Sequence, residues 1–353
     1  MTYLDIVNKK YNELKTKKDI ITMGIESSCD ETSISLVKNG REILSNIVAS
    51  QIDIHKLYGG VVPEVASRNH VACINNCLKE ALESANLTLK DVDLIGVTYG
   101  AGLIGALMVG VNFAKALSYA TNIPLIKVDH IKGHIAANYL CFKDLKPPFL
   151  CLLVSGAHTE ILKVIDYNKY EIVGSTLDDA CGECFDKVAR VLNLEYPGGP
   201  KIEKLAKSGK ENIEFLKFNH ELENSYNFSY SGLKTSVINY IHNKQQKNEP
   251  LIVEDICASF QHYAFKDLVS KTVKASLMLG KDYSNIVIAG GVSANEYLRE
   301  QMKIECEKNN LKAYYPKISL STDNAAMIAS QTYYNFICNE PISDLTLTPK
   351  ARL

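Results

Sequence analysis

His130 and His134 stand four residues apart in Asp129-His-Ile-Lys-Gly-His134. On a helix that spacing projects both imidazoles onto one face, where they can grip one metal ion. Zinc hydrolases use the same spacing, but with a Glu directly after the first His as general base. Here that position is Ile131. The pair is thus compatible with a metal clamp but lacks the usual hydrolytic base; a pair packed on a surface or in a core would have the same spacing. Thr322-Asp323-Asn324 opens the last helical stretch. Asp323 reads two ways, as the cap of that helix or as the hard third ligand a histidine pair needs.

Three turns have the composition of anion cradles. Ser27-Ser-Cys-Asp30 and Ser155-Gly-Ala-His158 each separate two strands, and Ile288-Ala-Gly-Gly-Val-Ser-Ala-Asn295 passes from a strand into a helix. Backbone N–H groups in such turns converge on an anion, small side chains let a phosphate approach, and a helix N-terminus attracts negative charge. Neither the GxGxxG fingerprint nor a Walker A motif is present. Pro197-Gly-Gly-Pro200 follows a predicted helix over 178–194 that presents Asp186 and Lys187. A glycine pair between prolines predicts a rigid turn where a ligand's ring or ribose packs on bare backbone.

These groups need a frame. A buried strand over 20–26, an alternating strand over 32–37, an Asn39-Gly40 hairpin turn and a third strand over 42–48 open the chain. The same order returns at 149–154, 159–164 and 170–174, about 130 residues later. Helices are predicted at 63–85, 105–121, 178–194 and 253–279, with short strands at 93–98, 125–128 and 285–289. Strands alternating with helices imply α/β layers and a duplicated domain; one large doubly wound sheet is the alternative. The prolines in Asp144-Leu-Lys-Pro-Pro148 mark the boundary. The expected organisation is a helical extension over 1–19, one half over 20–146 and a second over 147–353, whose last helix can pack back on the first half.

The chain has 353 residues, 46% hydrophobic and 22% charged, an ordinary globular composition. A formal net charge of -1 excludes a protein that coats nucleic acid by itself, but not a local basic groove or recognition shared with a partner. The ten cysteines, several in apolar stretches, read as reduced core residues of a cytoplasmic protein. No signal peptide or membrane span is read. The longest apolar stretch, 102–120, is interrupted by glycines, Asn112 and Lys115. The Lys-rich arm over 2–18 contains Asp5 and Glu13, so it reads as a helix rather than a targeting peptide.

Taken together, Gly24-Ile-Glu-Ser-Ser-Cys-Asp-Glu-Thr32, Gly59-Gly-Val-Val-Pro-Glu64 with Ala66-Ser-Arg-Asn-His70, the His130–His134 pair, Val154-Ser-Gly156, Phe185-Asp-Lys187, Tyr196-Pro-Gly-Gly-Pro200, Ser231-Gly-Leu-Lys234, Ala289-Gly-Gly-Val-Ser-Ala-Asn295 and Thr322-Asp-Asn324 resemble the bacterial TsaD family. These are tRNA N6-adenosine threonylcarbamoyltransferases, formerly described as O-sialoglycoprotein endopeptidases. The resemblance runs from about residue 20 to about residue 330. It implies an α/β, actin-like ATPase (sugar kinase/Hsp70) fold of two duplicated RNase H-like domains. It also implies transfer of threonylcarbamoyl from threonylcarbamoyl-AMP to N6 of adenosine 37 in tRNAs reading ANN codons, with release of AMP.

Carried over by motif, the resemblance implies that His130, His134 and Asp323 hold one divalent metal, Fe2+ ahead of Zn2+. Leu153, Val154, Ser155, Gly156 and Ala157 would touch the substrate phosphate or acyl group. Asp186, Gly199, Glu203 and Asn295 would hold the adenylate's ribose and base, and Asp30 and Glu31 would face the reacting centre. Implied partners are tRNA, a TsaB-like paralogue and a TsaE-like ATPase, with no membrane; exposed helices of the first half are the expected docking surface. The chain departs from the family at Ala157, where Gly is usual, at Cys181 and Cys184, where Ala is usual, and in Tyr99-Gly-Ala-Gly102, which lacks a Pro before Gly102.

Such a transfer moves an acyl group from a mixed carbamic–phosphoric anhydride to a poorly nucleophilic amine. A Lewis-acid metal and one carboxylate base suit it; Asp30 is the expected base, with Glu31 in reserve. A metalloprotease is the rival hydrolytic reading, and would cleave glycoprotein with chelator sensitivity and no tRNA product. A kinase or ATPase of the same fold would use Mg2+ in place of a histidine-bound metal. A catalytically idle scaffold is disfavoured by the intact His130, His134 and Asp323 set.

Overall fold

The computed structural model describes residues 2–215, 222 and 225–352. In chain order, α1 (Tyr3–Leu14) precedes β1 (Ile21–Glu26), β2 (Glu31–Lys38) and β3 (Glu42–Ser50). Then come α2 (Ile52–Lys56), α3 (Pro63–Ala85), β4 (Leu94–Gly100), α4 (Ile104–Thr121), β5 (Leu125–Asp129) and α5 (His130–Cys141). The second series is β6 (Phe149–Val154), β7 (Thr159–Asp166), β8 (Lys169–Ser175), α6 (Cys181–Val191), α7 (Gly198–Ala206) and α8 (Ser231–Gln246). It continues with α9 (Val253–Leu279), β9 (Asn285–Ala289), α10 (Glu296–Lys308) and β10 (Lys312–Tyr314), and α11 (Ala325–Ile337) closes the chain. Two compact units result, one of Met1–Lys146, Asp166–Lys169 and Thr322–Leu353, the other of Pro147–Ile165 and Tyr170–Ser321.

The first unit is built on a sheet of order β3-β2-β1-β4-β5, antiparallel through β1, β2 and β3 and parallel from β1 to β5. The hairpin turns on Asn39 and Gly40, both at positive φ (51° and 68°). Those two residue types adopt that conformation with least strain. Successive strand residues face opposite sides, and each side of β1 meets a helix. Met23 and Ile25 join the cluster that holds Ile74 and Cys77 of α3. Gly24 faces α11, where an added Cβ would fall 2.1 Å from the Ala325 carbonyl oxygen. β2 alternates polar and apolar residues, yet Thr32, Ser33 and Ser35 are fully buried. Their hydroxyls find partners inside, such as Ser33 Oγ donating to Ile47 O at 2.7 Å.

The second unit repeats the order with β8-β7-β6-β9-β10, a mixed sheet in which β6 is antiparallel to β7 and parallel to β9. Its core gathers Phe185 of α6 with Phe260 and Phe265 of α9, and burying each such ring contributes about 1.5–3 kcal/mol. The two sheets make the chain a mixed α/β protein of the expected duplicated kind.

Local expectations needed correction here. α6 is shorter than 178–194, because Asp178 and Asp179 are taken up by side-chain contacts ahead of its first turn. Asp178 accepts from the Tyr230 N–H at 2.7 Å and from Ser229 Oγ at the start of α8. Asp179 pairs with Lys187 at 2.7 Å and with Lys234. Asn193, at φ 57°, stops the chain just past α6. Pro197-Gly-Gly-Pro200 is not a free turn: Pro197 is the N-cap of α7 and both glycines lie in its first turn, where Pro costs no hydrogen bond. Cys181 and Cys184 have Cys-x-x-Cys spacing. Both are buried, and burial pushes the Cys181 thiol up to about 12, so they are core residues.

Candidate functional site

α5 starts at His130 because Asp129 caps it, its carboxylate accepting from the Ile131 N–H at 2.8 Å. Gly133, between the histidines, lets α11 approach; a Cβ there would stand 2.7 Å from Ile328 Cδ1. That brings the residues preceding α11 over the histidine face. Asp323 Oδ1 lies 3.5 Å from His130 Nε2 and 3.2 Å from His134 Nε2. The cap of α11 is Asn324, whose side chain accepts from the Met327 N–H at 3.2 Å, so Asp323 is not the capping residue.

The three could hold a metal ion, with their ligand atoms all within 4.8 Å of one another. Donors bound about 2.0–2.2 Å from one ion are held roughly as far apart as the two measured separations. Both ring nitrogens of His134 are buried and lack hydrogen-bond partners among the described residues. A buried imidazole that makes no hydrogen bond is uncommon; Nε2 has only the ion-pair approach of Asp323, and a Lewis acid there would satisfy it. The donor set therefore fits a divalent metal.

Glu26 belongs to the site although its sequence position does not single it out. At the end of β1 and fully buried, it lies with Oε2 3.2 Å from His130 Nδ1. It accepts from the Ser28 N–H at 2.5 Å and from Thr98 Oγ1 at 2.6 Å. Burial disfavours the charged carboxylate, but His130 outweighs it and holds the Glu26 pKa below the usual value. Burial likewise opposes a charged His130, yet the carboxylates of Asp323 and Glu26 together push its pKa up to about 9. A carboxylate on one nitrogen turns the other toward a metal and raises its basicity. The one sequence signal is an acid closing a mostly apolar strand, directly before the Ser27–Asp30 turn.

Glu31 opens β2 and Asp30 stands directly before it, 9% and 7% exposed. The Gln51 N–H donates to the Asp30 carbonyl at 3.0 Å, and Ser50 Oγ donates to Glu31 Oε1 at 3.2 Å. Burial, then the charges of Asp30 and Asp323, push the Glu31 carboxyl up to about 10. Burial, then the charge of Asp30, pushes the Cys29 thiol well above its ordinary value.

In the second unit, Leu153 and Val154 are fully buried β6 residues, so only their backbone can reach a ligand. Beyond them Ser155 Oγ accepts from the N–H groups of Ala157 (3.3 Å) and His158 (3.0 Å). Gly156 and Ala157 are exposed. Ala157 is not among the residues with positive φ, so its Cβ brings no backbone strain. Gly182 and Gly290 press on this turn: an added Cβ would fall 2.7 Å from Ser155 O and 2.4 Å from Val154 O, respectively. Gly156, Gly199 and Gly291 instead face open space, leaving room beside bare backbone.

The remaining expected residues lie along α6, α7 and α10. Asp186 accepts from the Gly198 N–H at 2.7 Å, and Glu203 from the Glu296 N–H at 2.7 Å. Asn295 caps α10 and donates through Nδ2 to Gln261 Oε1 at 2.9 Å. Their polar groups thus tie helix ends together.

Residues 42–330 match the family model "TsaD: tRNA N6-adenosine threonylcarbamoyltransferase". A relative of that name from Clostridioides difficile (strain 630) is 54% identical over 330 residues, covering 93% of this chain and 96% of the relative. Among solved structures, T. kodakarensis HypF superposes with a TM-score of 0.61 at 16% identity, covering 91% of this chain and 48% of HypF. The Acidaminococcus fermentans (R)-2-hydroxyglutaryl-CoA dehydratase component A gives 0.52 at 14% identity, covering 90% and 99%. These two likenesses show the fold alone, that of actin-like ATPases and sugar kinases.

Proposed function

The chain belongs to the TsaD family of tRNA N6-adenosine threonylcarbamoyltransferases, and on that premise we propose how its residues carry the transfer. The activity is that of the family: threonylcarbamoyl passes to N6 of a tRNA adenosine, and tRNA is the acceptor. We assign His130, His134 and Asp323 as holders of one divalent metal, Fe2+ ahead of Zn2+. When bound, that metal supplies Lewis acidity toward the phosphate or carbonyl oxygen of threonylcarbamoyl-AMP. Glu26 orients His130 for that task.

Asp30 accepts the proton that N6 of adenosine 37 loses as its nitrogen bonds to the carbamoyl carbon. The bond from that carbon to the phosphate oxygen breaks, and AMP leaves with the electron pair. Protonated Glu31 keeps Asp30 oriented. The backbone of residues 153–157 takes the phosphate or acyl group, and Asp186, Gly199, Glu203 and Asn295 take the ribose and base once their helix-end contacts yield. Near-neutral charge implies help in gripping tRNA. The groove on the first unit lined by Val71, Ile74, Met108, Val109 and Phe113 is the docking surface we assign to a TsaB-like paralogue, with a TsaE-like ATPase as a further partner. Among the described residues no helix is long and apolar enough to cross a membrane, consistent with work on tRNA in the cytoplasm.

The observation that carries the metal assignment is the convergence of two buried histidine nitrogens and one carboxylate within 4.8 Å, without an acid after His130. Purified protein with its partners, threonylcarbamoyl-AMP and ANN-decoding tRNA should yield N6-threonylcarbamoyladenosine and AMP on nucleoside analysis. Chelator-sensitive cleavage of a glycoprotein with no modified nucleoside would overturn the proposal.

A further inference from the structure

We infer that His70 is a positioning residue for the transfer, holding both flanks of the Asp30–Glu31 pair at once; this rests on the assignment of Asp30 as base. His70 lies on the buried stripe of α3 with Ala66, Ile74, Cys77 and Ala81, and is itself fully buried. Its Nε2 is 3.0 Å from the Cys29 carbonyl oxygen, and its Nδ1 is 2.7 Å from Thr32 Oγ1. Cys29 and Thr32 are the residues on either side of the pair. One neutral tautomer serves both contacts: Nε2–H donates to Cys29, and Nδ1 accepts from the Thr32 hydroxyl. Burial holds the His70 pKa below its ordinary value, in keeping with a neutral ring.

Neighbouring groups converge on the same short segment. Gln51 places its N–H on the Asp30 carbonyl, and its Nε2 donates to Ala66 O of α3 at 3.3 Å. Cys77, two turns beyond His70, donates through Sγ to the Thr32 carbonyl at 3.7 Å. α3 therefore acts as a straight edge for the start of β2, with His70 as its contact to both sides of the carboxylates. A fully satisfied histidine at this place does more than fill the core. It sets where the Asp30 carboxylate stands, and a displacement of about 1 Å at a reacting group can cost about 10²-fold in rate.

A double-mutant cycle in the complete transfer reaction tests this. His70→Ala should lower kcat about 10²-fold while KM for threonylcarbamoyl-AMP and bound metal stay unchanged. Because His70 acts through Asp30, adding His70→Ala to Asp30→Ala should lower kcat no further. Should His70→Ala fail to fold, His70→Asn, which keeps an acceptor near Thr32, and His70→Gln, which keeps a donor near Cys29, take its place. Each should fall between wild type and Asp30→Ala. Wild-type turnover in the His70 variants, or losses that add in the double variant, would overturn the inference and leave the base assignment standing. Wild-type turnover in Asp30→Ala would overturn the base assignment and this inference with it.

Discussion

Glu26 Oε2 and His130 Nδ1 lie 3.2 Å apart at the base of the histidine face. With the Ser28 N–H and the Thr98 hydroxyl also on Glu26, the carboxylate is locked, and it locks the ring in turn. Replacing such an outer carboxylate typically costs about 10–100-fold in metal affinity. Glu26→Gln should show a loss of that order in a competition titration with a chromophoric chelator. Unchanged affinity would mean that α5 alone orients His130.

Asp323 and Asn324 are neighbours with separable tasks. Asn324→Ala removes the cap of α11 and should cost about 1 kcal/mol of stability, seen as a lower Tm with metal content intact. Asp323→Ala leaves that cap in place and should abolish metal binding and transfer with little change in Tm of the metal-free protein. Metal analysis beside calorimetry distinguishes the two outcomes.

The carboxylate pair should respond unequally to isosteres. Asp30→Asn removes the proton acceptor and should lower kcat by about 10²–10⁴-fold. Glu31→Gln keeps a donor toward Asp30 and should retain most of the wild-type rate. Initial rates of nucleoside formation decide, and the reverse ranking would make Glu31 the base.

The raised pKa of Glu31 also makes stability depend on pH. Its carboxyl moves from 4.5 to about 10 on folding, so the folded state binds the extra proton between those values. Its contribution is fully present below pH about 4.5 and is lost as pH rises through about 10. The slope reaches at most about 1.4 kcal/mol per pH unit. Glu31→Gln, which cannot titrate, should gain on wild type as pH rises from 5 to 9 in denaturant melts. Parallel curves would mean that Glu31 is ionised in the fold.

The frame and the clamp are legible in sequence for different reasons. Asn39-Gly40 and the repeated strand–turn–strand order declare the sheets, because turn chemistry and period-2 patterning are local. The His130–His134 spacing declares a helical face for the same reason. Asp323 lies far along the chain, so its approach depends on α11 packing on Gly133, which no local pattern records. Glu26 and His70 look like ordinary strand and helix residues until tertiary contacts place them. The Gly-Pro punctuation at Pro197–Pro200 is read as a turn because the same residues also suit a helix start, and α9 and α10 decide between the two. Asp178 and Asp179 imitate the acidic first turn of a helix, whereas their partners come from α8 and from Lys187.

Gly182 offers a test of the second unit that leaves the metal centre alone. It sits in the first turn of α6 against Ser155 and Gly156, where a Cβ would stand 2.7 Å from the Ser155 carbonyl oxygen and 2.9 Å from Gly156 Cα. Both contacts are to backbone, so the turn itself must shift to admit a methyl group. Gly182→Ala should therefore raise KM for threonylcarbamoyl-AMP by about 10-fold, roughly the 1–2 kcal/mol that overpacking against backbone costs. Metal content should stay at the wild-type level. Gly199→Ala is the matched control: an added Cβ there meets open space, so stability should hold, and KM should rise only if ligand fills that space. Steady-state kinetics with threonylcarbamoyl-AMP as the varied substrate separates these cases. Unchanged KM in both variants would remove the 153–157 turn and Gly199 from the binding site.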